Sequence, residues 1–183
     1  RYLMLQLDPH FVFNSLSSLA GMIGEDPKMA EDYVVKLSHI YRYILQHIDK
    51  KYITLADGTD FIKSYIGLFN MRYDNAIVLH ADDLHGDRNE CILSLSLQLI
   101  IENAVKHNSI TGGNPLHIRI RTEGESFLIE NNYTPRSDGD KESLGMGLER
   151  IRSVYRFYTE ENISISVGDG TFRCRLPLLP PEK

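Results

Sequence analysis

The sequence has no tryptophan and only two cysteines, Cys91 and Cys174. Neither belongs to a Cys-x-x-Cys pair or a Cys/His cluster, and both stand in apolar stretches. They read as buried thiols rather than a disulfide or a metal site, which fits a reducing compartment. Positive charge is not in excess: 20 Lys and Arg stand against 25 Asp and Glu, a formal net charge of −5 with a pI of about 5.8. That balance provides no basic field for nucleic acid, so no nucleic-acid partner is expected. No apolar run approaches the about 18 to 20 residues a membrane-spanning helix needs, and there is no signal-peptide pattern. Internal repeats and low-complexity tracts are missing as well. What is present is the composition of an ordinary globular chain, 42% hydrophobic and 25% charged, with room for one full domain and a smaller appendage. The chain opens at Arg1, inside a helical pattern and without a methionine, and is expected to be part of a longer protein.

Two helices account for the first fifty residues. Leu5, Val12, Leu16, Leu19 and Ile23 recur at near-helical spacing, residues 24–27 make a turn, and a second helix runs from about Met29 to His47. Its apolar side is expected to hold Tyr33, Leu37, Ile40, Tyr41, Ile44 and Leu45. Such a hairpin cannot bury its own faces and needs the rest of the chain or a second copy. From Tyr52 the pattern changes. A helix is expected over about 57–72, a strand over 76–80 and a helix over 90–107. Alternating runs at Leu116–Ile120, Phe127–Ile129, Ile163–Val167 and Phe172–Leu176 predict strands, the last two joined through Gly168-Asp169-Gly170 as a hairpin. Helices on one face of such a sheet make an α+β sandwich.

Three segments carry chemistry. In Gln6-Leu7-Asp8-Pro9-His10-Phe11-Val12-Phe13-Asn14, proline either kinks a helix or starts one capped by Asp8. His10, Asn14 and Ser17 then share a polar stripe, where a neutral imidazole offers a lone pair. Taken alone, His10 reads more simply as a solvated surface histidine. In Leu97 to Asn108, Asn103, Lys106 and His107 share a helix face while Leu99 and Ile100 fill a core. An asparagine oxygen there suits a hydrated Mg²⁺ and Lys106 suits a phosphate, against the simpler alternative of a polar helix face. Leu144-Gly145-Met146-Gly147-Leu148 opens a helix expected to run to about Tyr158. Its glycines let backbone N–H groups approach an anion, although a lone Gly-x-Gly serves equally as a flexible loop end.

In this order and spacing, the three segments resemble the LytS/YehU-type sensor histidine kinases over nearly the whole chain. The resemblance implies an N-terminal helical hairpin, residues 1–51, for dimerisation and phosphoacceptance. It implies that residues 52–183 form an ATP-binding catalytic domain, an α/β sandwich of the Bergerat type shared by gyrase-like, chaperone and histidine-kinase ATPases. It places the phosphorylated histidine at His10 and Mg²⁺ on Asn103, with Glu102, Lys106 and His107 near the phosphates and a nucleotide lid at Gly145 and Gly147. Glu102 is the candidate general base, with Asp8 beside it. Arg42-Tyr43 and Tyr65 with Arg72 also match the family's linker and first catalytic helix. ATP and Mg²⁺ are the implied cofactors. A homodimer and a response regulator of the LytTR type are the implied partners, and a membrane sensor is implied upstream. The fragment itself is expected to be soluble, at the cytoplasmic face of a bacterial inner membrane.

Several positions depart from the family pattern. In place of its Asp-x-Gly-x-Gly segment stands a glycine-free stretch beginning Asn131-Asn132-Tyr133. Asn131 takes the place of the aspartate, and its amide oxygen can accept from the adenine amino group without the charge. Both glycines are missing, so the first wall of the lid is expected to be stiffer. Gly58 stands where glutamate is common, Leu93-Ser94 where a proline is usual, and Arg150 where an asparagine is usual. Three functions of different classes therefore remain open at this point: an active histidine kinase, a nucleotide-free signalling scaffold, and a related ATPase or serine kinase.

Overall fold

The computed structural model describes residues 9–47, 50–84, 90–94, 96–135, 149, 151–153, 155–156, 159–160 and 163–180. Helix α1 (Pro9–Glu25) and helix α2 (Pro27–His47) are separated by Asp26 alone. Asp26 caps α2, its carboxylate accepting from the Met29 amide at 2.9 Å, and Pro27 takes the first helical position, where its missing N–H leaves nothing unpaired. The turn expected over 24–27 is thereby compressed to one residue. Phe11 at the start of α1 lies 6.0 Å from Tyr41 in the C-terminal half of α2 (ring centroids), so the two helices fold back on each other.

The stripe of α1 that packs within the chain is a second one, beside the apolar series noted in the sequence. Phe11, Ser15 and Met22 are buried, whereas Leu16 and Ile23 are 52% and 57% exposed and Val12 and Leu19 are only half-buried. Two apolar stripes coexist on this helix, and contact with the next helix selects the one that contains Phe11. On α2 the expected Tyr33, Leu37, Ile40 and Ile44 are buried, but Leu45 faces outward.

Strand β1 (Tyr52–Thr54) leads directly into α3 (Leu55–Asn70), with the Thr54 side chain accepting from the Asp57 amide at the N-cap. After α3 the chain turns through Asp74 and Asn75, whose positive φ values of 48° and 59° are tolerated by these short polar side chains. The Asn70 amide then bonds both backbone groups of Ile77, at 2.8 and 2.9 Å, and fixes the start of β2 (Ile77–Asp83). The expected helix over 90–107 is divided: Cys91–Leu93 is strand β3, antiparallel to β1 with Ile53 opposite Ile92, and α4 spans Ser96–His107. A three-residue apolar run has no period that tells strand from helix, and its pairing with β1 decides the matter.

The main sheet also contains β4 (Leu116–Glu123), β5 (Ser126–Asn132), β6 (Ser164–Gly168) and β7 (Thr171–Pro177), in the order β2-β4-β5-β7-β6. Only β2 and β4 run parallel, with α4 in the crossover between them. The predicted hairpin is present, with Asp169 and Gly170 at φ 51° and 67° closing β6 onto β7, as two-residue turns of this hand require. One face of the sheet (Ile118, Ile120, Phe127, Ile129, Phe172, Cys174) joins α3 and α4 in a continuous core. On the other face Glu130 bridges Arg121 and Arg173 at 2.9 and 2.6 Å, and Arg175 pairs with Glu123. The result is the expected α+β sandwich, helices against a mixed sheet.

Candidate functional site

The inward-facing residues of β5 are Phe127 and Ile129 and then, against the pattern, Asn131. Its register neighbours are Ile118 on β4 and Phe172 on β7, and it is 3% exposed. Its Nδ2 donates to the carbonyl of Asn132 at 2.6 Å, while its Oδ1 has no partner among the described residues. A buried acceptor left unpaired costs on the order of 1–3 kcal/mol. Asn131 lines a cleft together with Asn103, Ala104, His107, Asn108, Tyr133 and Phe172.

The opposite wall is α4. Its register places Ile100, Ile101, Ala104 and Val105 in the core and turns Asn103, half-buried, to the cleft. Asn103 Nδ2 donates to the Leu99 carbonyl at 2.8 Å, so Oδ1 is the acceptor this side chain has left to present. His107 lines the same cleft and is fully buried, whereas Lys106 is exposed and is not among the lining residues. The shared face expected for Asn103, Lys106 and His107 is thus divided. Asn103 and His107 meet in the cleft, and Lys106 stands outside it in solvent.

Glu102 points elsewhere. Its Oε1 accepts from the hydroxyl of Tyr65 on α3 and from Gln98 Nε2 at 2.8 Å. Tyr41 on α2 is close enough for electrostatic coupling. Its hydroxyl is held above the usual tyrosine range by burial, and further by Tyr33 and Glu102. His10 lies in the first turn of α1, followed immediately by the buried Phe11. Gly145 and Gly147, the expected lid, together with Arg150 and Asp8, lie outside the described residues.

Sequence reasoning missed Asn108. It is 2% exposed, and its Nδ2 closes α4 on the Ala104 carbonyl at 2.8 Å while its Oδ1 holds the Thr134 amide at 2.6 Å. One side chain thereby ends the helix and anchors the segment leading to residues 136–148. Its position at the helix C-terminus was the available signal, since asparagine is favoured there. Tyr133 and Phe172 were also missed, because aromatic residues at strand ends carry no distinguishing pattern. Among the described residues no group of three or more His, Cys, Asp or Glu could hold a metal ion. The side-chain amide oxygen of Asn103 at this cleft suits a hard cation that keeps most of its water or phosphate ligands.

Residues 1–77 match the histidine kinase family model. An uncharacterised sensor-like histidine kinase of Staphylococcus epidermidis is 34% identical over 193 residues, covering 95% of this chain and 38% of that protein. The sensor protein kinase HptS of Staphylococcus aureus is 33% identical over 124 residues, covering 68% of this chain and 24% of its own length. The chain thus spans well under half the length of these curated relatives. A solved structure described as a bacterial phosphotransferase superposes with a TM-score of 0.50 at 11% identity, covering 90% of this chain and 85% of that one, a likeness of fold alone.

Proposed function

We infer that this chain, which belongs to the histidine kinase family, binds Mg-ATP in the Asn103–Asn131 cleft and transfers the γ-phosphoryl group to His10. The observation that carries the reading is the buried Oδ1 of Asn131, an acceptor with no partner among the described residues, on a side chain that lines the cleft opposite Asn103. An exocyclic amino group of adenine is the donor that oxygen lacks, and its hydrogen bond would offset the cost of burying it. The same acceptor argues against a nucleotide-free scaffold.

Asn103 would hold Mg²⁺ through Oδ1, an orientation its Nδ2–Leu99 bond maintains. When bound, the ion would neutralise charge on the β- and γ-phosphates. Lys106, exposed one turn beyond Glu102 and outside the cleft, would have to reach in to meet a phosphate as a point charge. Buried His107 supports the cleft wall, and Gly145 and Gly147 are the candidate lid. The imidazole of His10 would attack the γ-phosphorus in line. The new P–N bond forms as the bond to the bridging oxygen breaks, ADP leaves, and Glu102 is the candidate acceptor of the imidazole proton. An aspartate of a response regulator, of the LytTR type by resemblance, would then take the phosphoryl group.

Residues 1–51 act in this reading as the dimerisation and phosphoacceptor segment and 52–183 as the ATP-binding domain. The homodimer is supported by apolar side chains left outward on the hairpin, Phe13, Leu16 and Ile23 on α1 with Val34, Val35 and Leu45 on α2. No helix among the described residues is long and apolar enough to cross a membrane. Attachment at the cytoplasmic face of a bacterial inner membrane would come through sequence outside this chain.

Incubation with γ-labelled Mg-ATP tests the reading. The chain should take up acid-labile, base-stable label, and His10→Gln should abolish it while ATP binding by calorimetry persists. Label retained in His10→Gln would identify an ATPase or serine kinase instead.

A further inference from the structure

One tyrosine lies between the two ends of the proposed reaction. Tyr65 on α3 is fully buried, and its ring is packed by Phe61 at 5.1 Å and Phe69 at 4.9 Å. From α1 comes Phe11 at 5.3 Å, the residue after His10. The Tyr65 hydroxyl leaves this aromatic cluster and donates to Glu102 Oε1, the residue before Asn103. Gln98 donates to the same oxygen at 2.8 Å. Two donors on one oxygen fix the carboxylate's rotation about its last bond, and hence the position of its other oxygen.

We propose that Tyr65 is a positioning residue for phosphoryl transfer. Its ring seats the helical turn that carries His10, and its hydroxyl orients Glu102, so both groups are set by one side chain of the same subunit. The inference rests on the proposed kinase function and deepens it. Packing alone does not need the hydroxyl, since phenylalanine fills the same space. What the hydroxyl adds is the bond to a carboxylate one residue from the candidate Mg²⁺ ligand. Preorganisation of this kind matters because small misplacements of reacting groups are expensive, about a hundredfold in rate for an ångström.

The test uses the whole chain. Tyr65→Phe should leave ATP affinity by calorimetry unchanged and lower the rate of His10 phosphorylation at saturating ATP by about ten- to a hundredfold. In a Glu102→Gln background, itself slow, Tyr65→Phe should add nothing, the signature of two residues acting as one unit. Phe11→Leu, which removes the ring seat and not the carboxylate's donor, should lower the rate in both backgrounds. An unchanged rate in Tyr65→Phe or in Glu102→Gln overturns the proposal, as does a Tyr65→Phe loss of equal size in both backgrounds. A wild-type chain that takes no label, or label that survives His10→Gln, sinks the kinase reading and this inference with it. Labelled wild type with an unaffected Tyr65→Phe sinks the inference alone.

Discussion

Asn103 on α4 and Asn131 on β5 face one cleft from opposite layers, each with its amide nitrogen already committed to a backbone carbonyl, at 2.8 Å to Leu99 and 2.6 Å to Asn132. What both side chains have left to present is oxygen. The two walls therefore offer neutral acceptors, suited on one side to a hydrogen-bond donor and on the other to a hard cation.

Replacing Asn131 by leucine removes the unpaired acceptor and keeps the volume nearly constant. ATP affinity should fall by about tenfold, the worth of one hydrogen bond, and the preference for ATP over GTP should largely vanish. Calorimetric titration with both nucleotides reads this directly. Equal ATP affinity in the two proteins would remove Oδ1 from the nucleotide site.

Asn103→Ala separates metal from nucleotide. Without its oxygen, the affinity gained by adding Mg²⁺ to ATP should shrink, while affinity for metal-free ATP stays near that of the wild type. Paired titrations in Mg²⁺ and in EDTA measure the difference. An undiminished Mg²⁺ gain would place the cation on other residues.

Gly58 and Gly67 lie on the same helix and should respond in opposite ways to alanine. A Cβ at Gly58 would stand 2.8 Å from Leu97 Cδ1 and 3.3 Å from Ile53 Cδ1, whereas one at Gly67 meets nothing nearer than the Lys36 Nζ at 3.9 Å. Gly58→Ala should destabilise by about 1–3 kcal/mol through overpacking. Gly67→Ala should be neutral or stabilise by up to about 1 kcal/mol through helix propensity. Urea midpoints for the two variants decide it.

Burial pushes the Cys174 thiol up to about 12 from 9.0, and the Arg152 charge offsets this only in part. Cys91 is buried as well. Near pH 8 the folded chain should leave both thiols unreacted with a disulfide reagent, and unfolding should expose two. Because the folded pKa lies above the unfolded one, ionisation favours the unfolded chain as pH rises from about 9 toward 12. Stability should decline across that window and show no Cys174 contribution below it. Reagent uptake at the native rate of an exposed thiol would contradict the burial.

Local pattern was enough for much of the fold. The alternation in β4, β5 and β7, the Asp169-Gly170 turn and the helical period of α4 each depend on neighbours a few residues away, so the chain displays them without knowledge of distant contacts. Residue type and spacing drew attention to His10 and Asn103, but their roles, and the choice of Asn131 at all, came from the resemblance to a known family. Helix α1 carries two apolar stripes, and a period cannot say which one meets Phe69 and Tyr65 and which is left outward. Strand β3 was read as helix because its three residues pair with β1, far away in sequence, and a run that short has no period of its own.

The sequence by itself determined the layer architecture, the polar residues interrupting apolar elements, and the order of the three candidate segments. These are properties of side-chain chemistry repeated at 2.0 and 3.6 residues. Only the tertiary structure decided which buried acceptor lacks a partner among the described residues, that Asn108 ties α4 to the segment beyond β5, and that Tyr65 joins Phe11 to Glu102. Each depends on three or more elements meeting at one place, where packing and hydrogen bonding choose among contacts that local sequence leaves equally open.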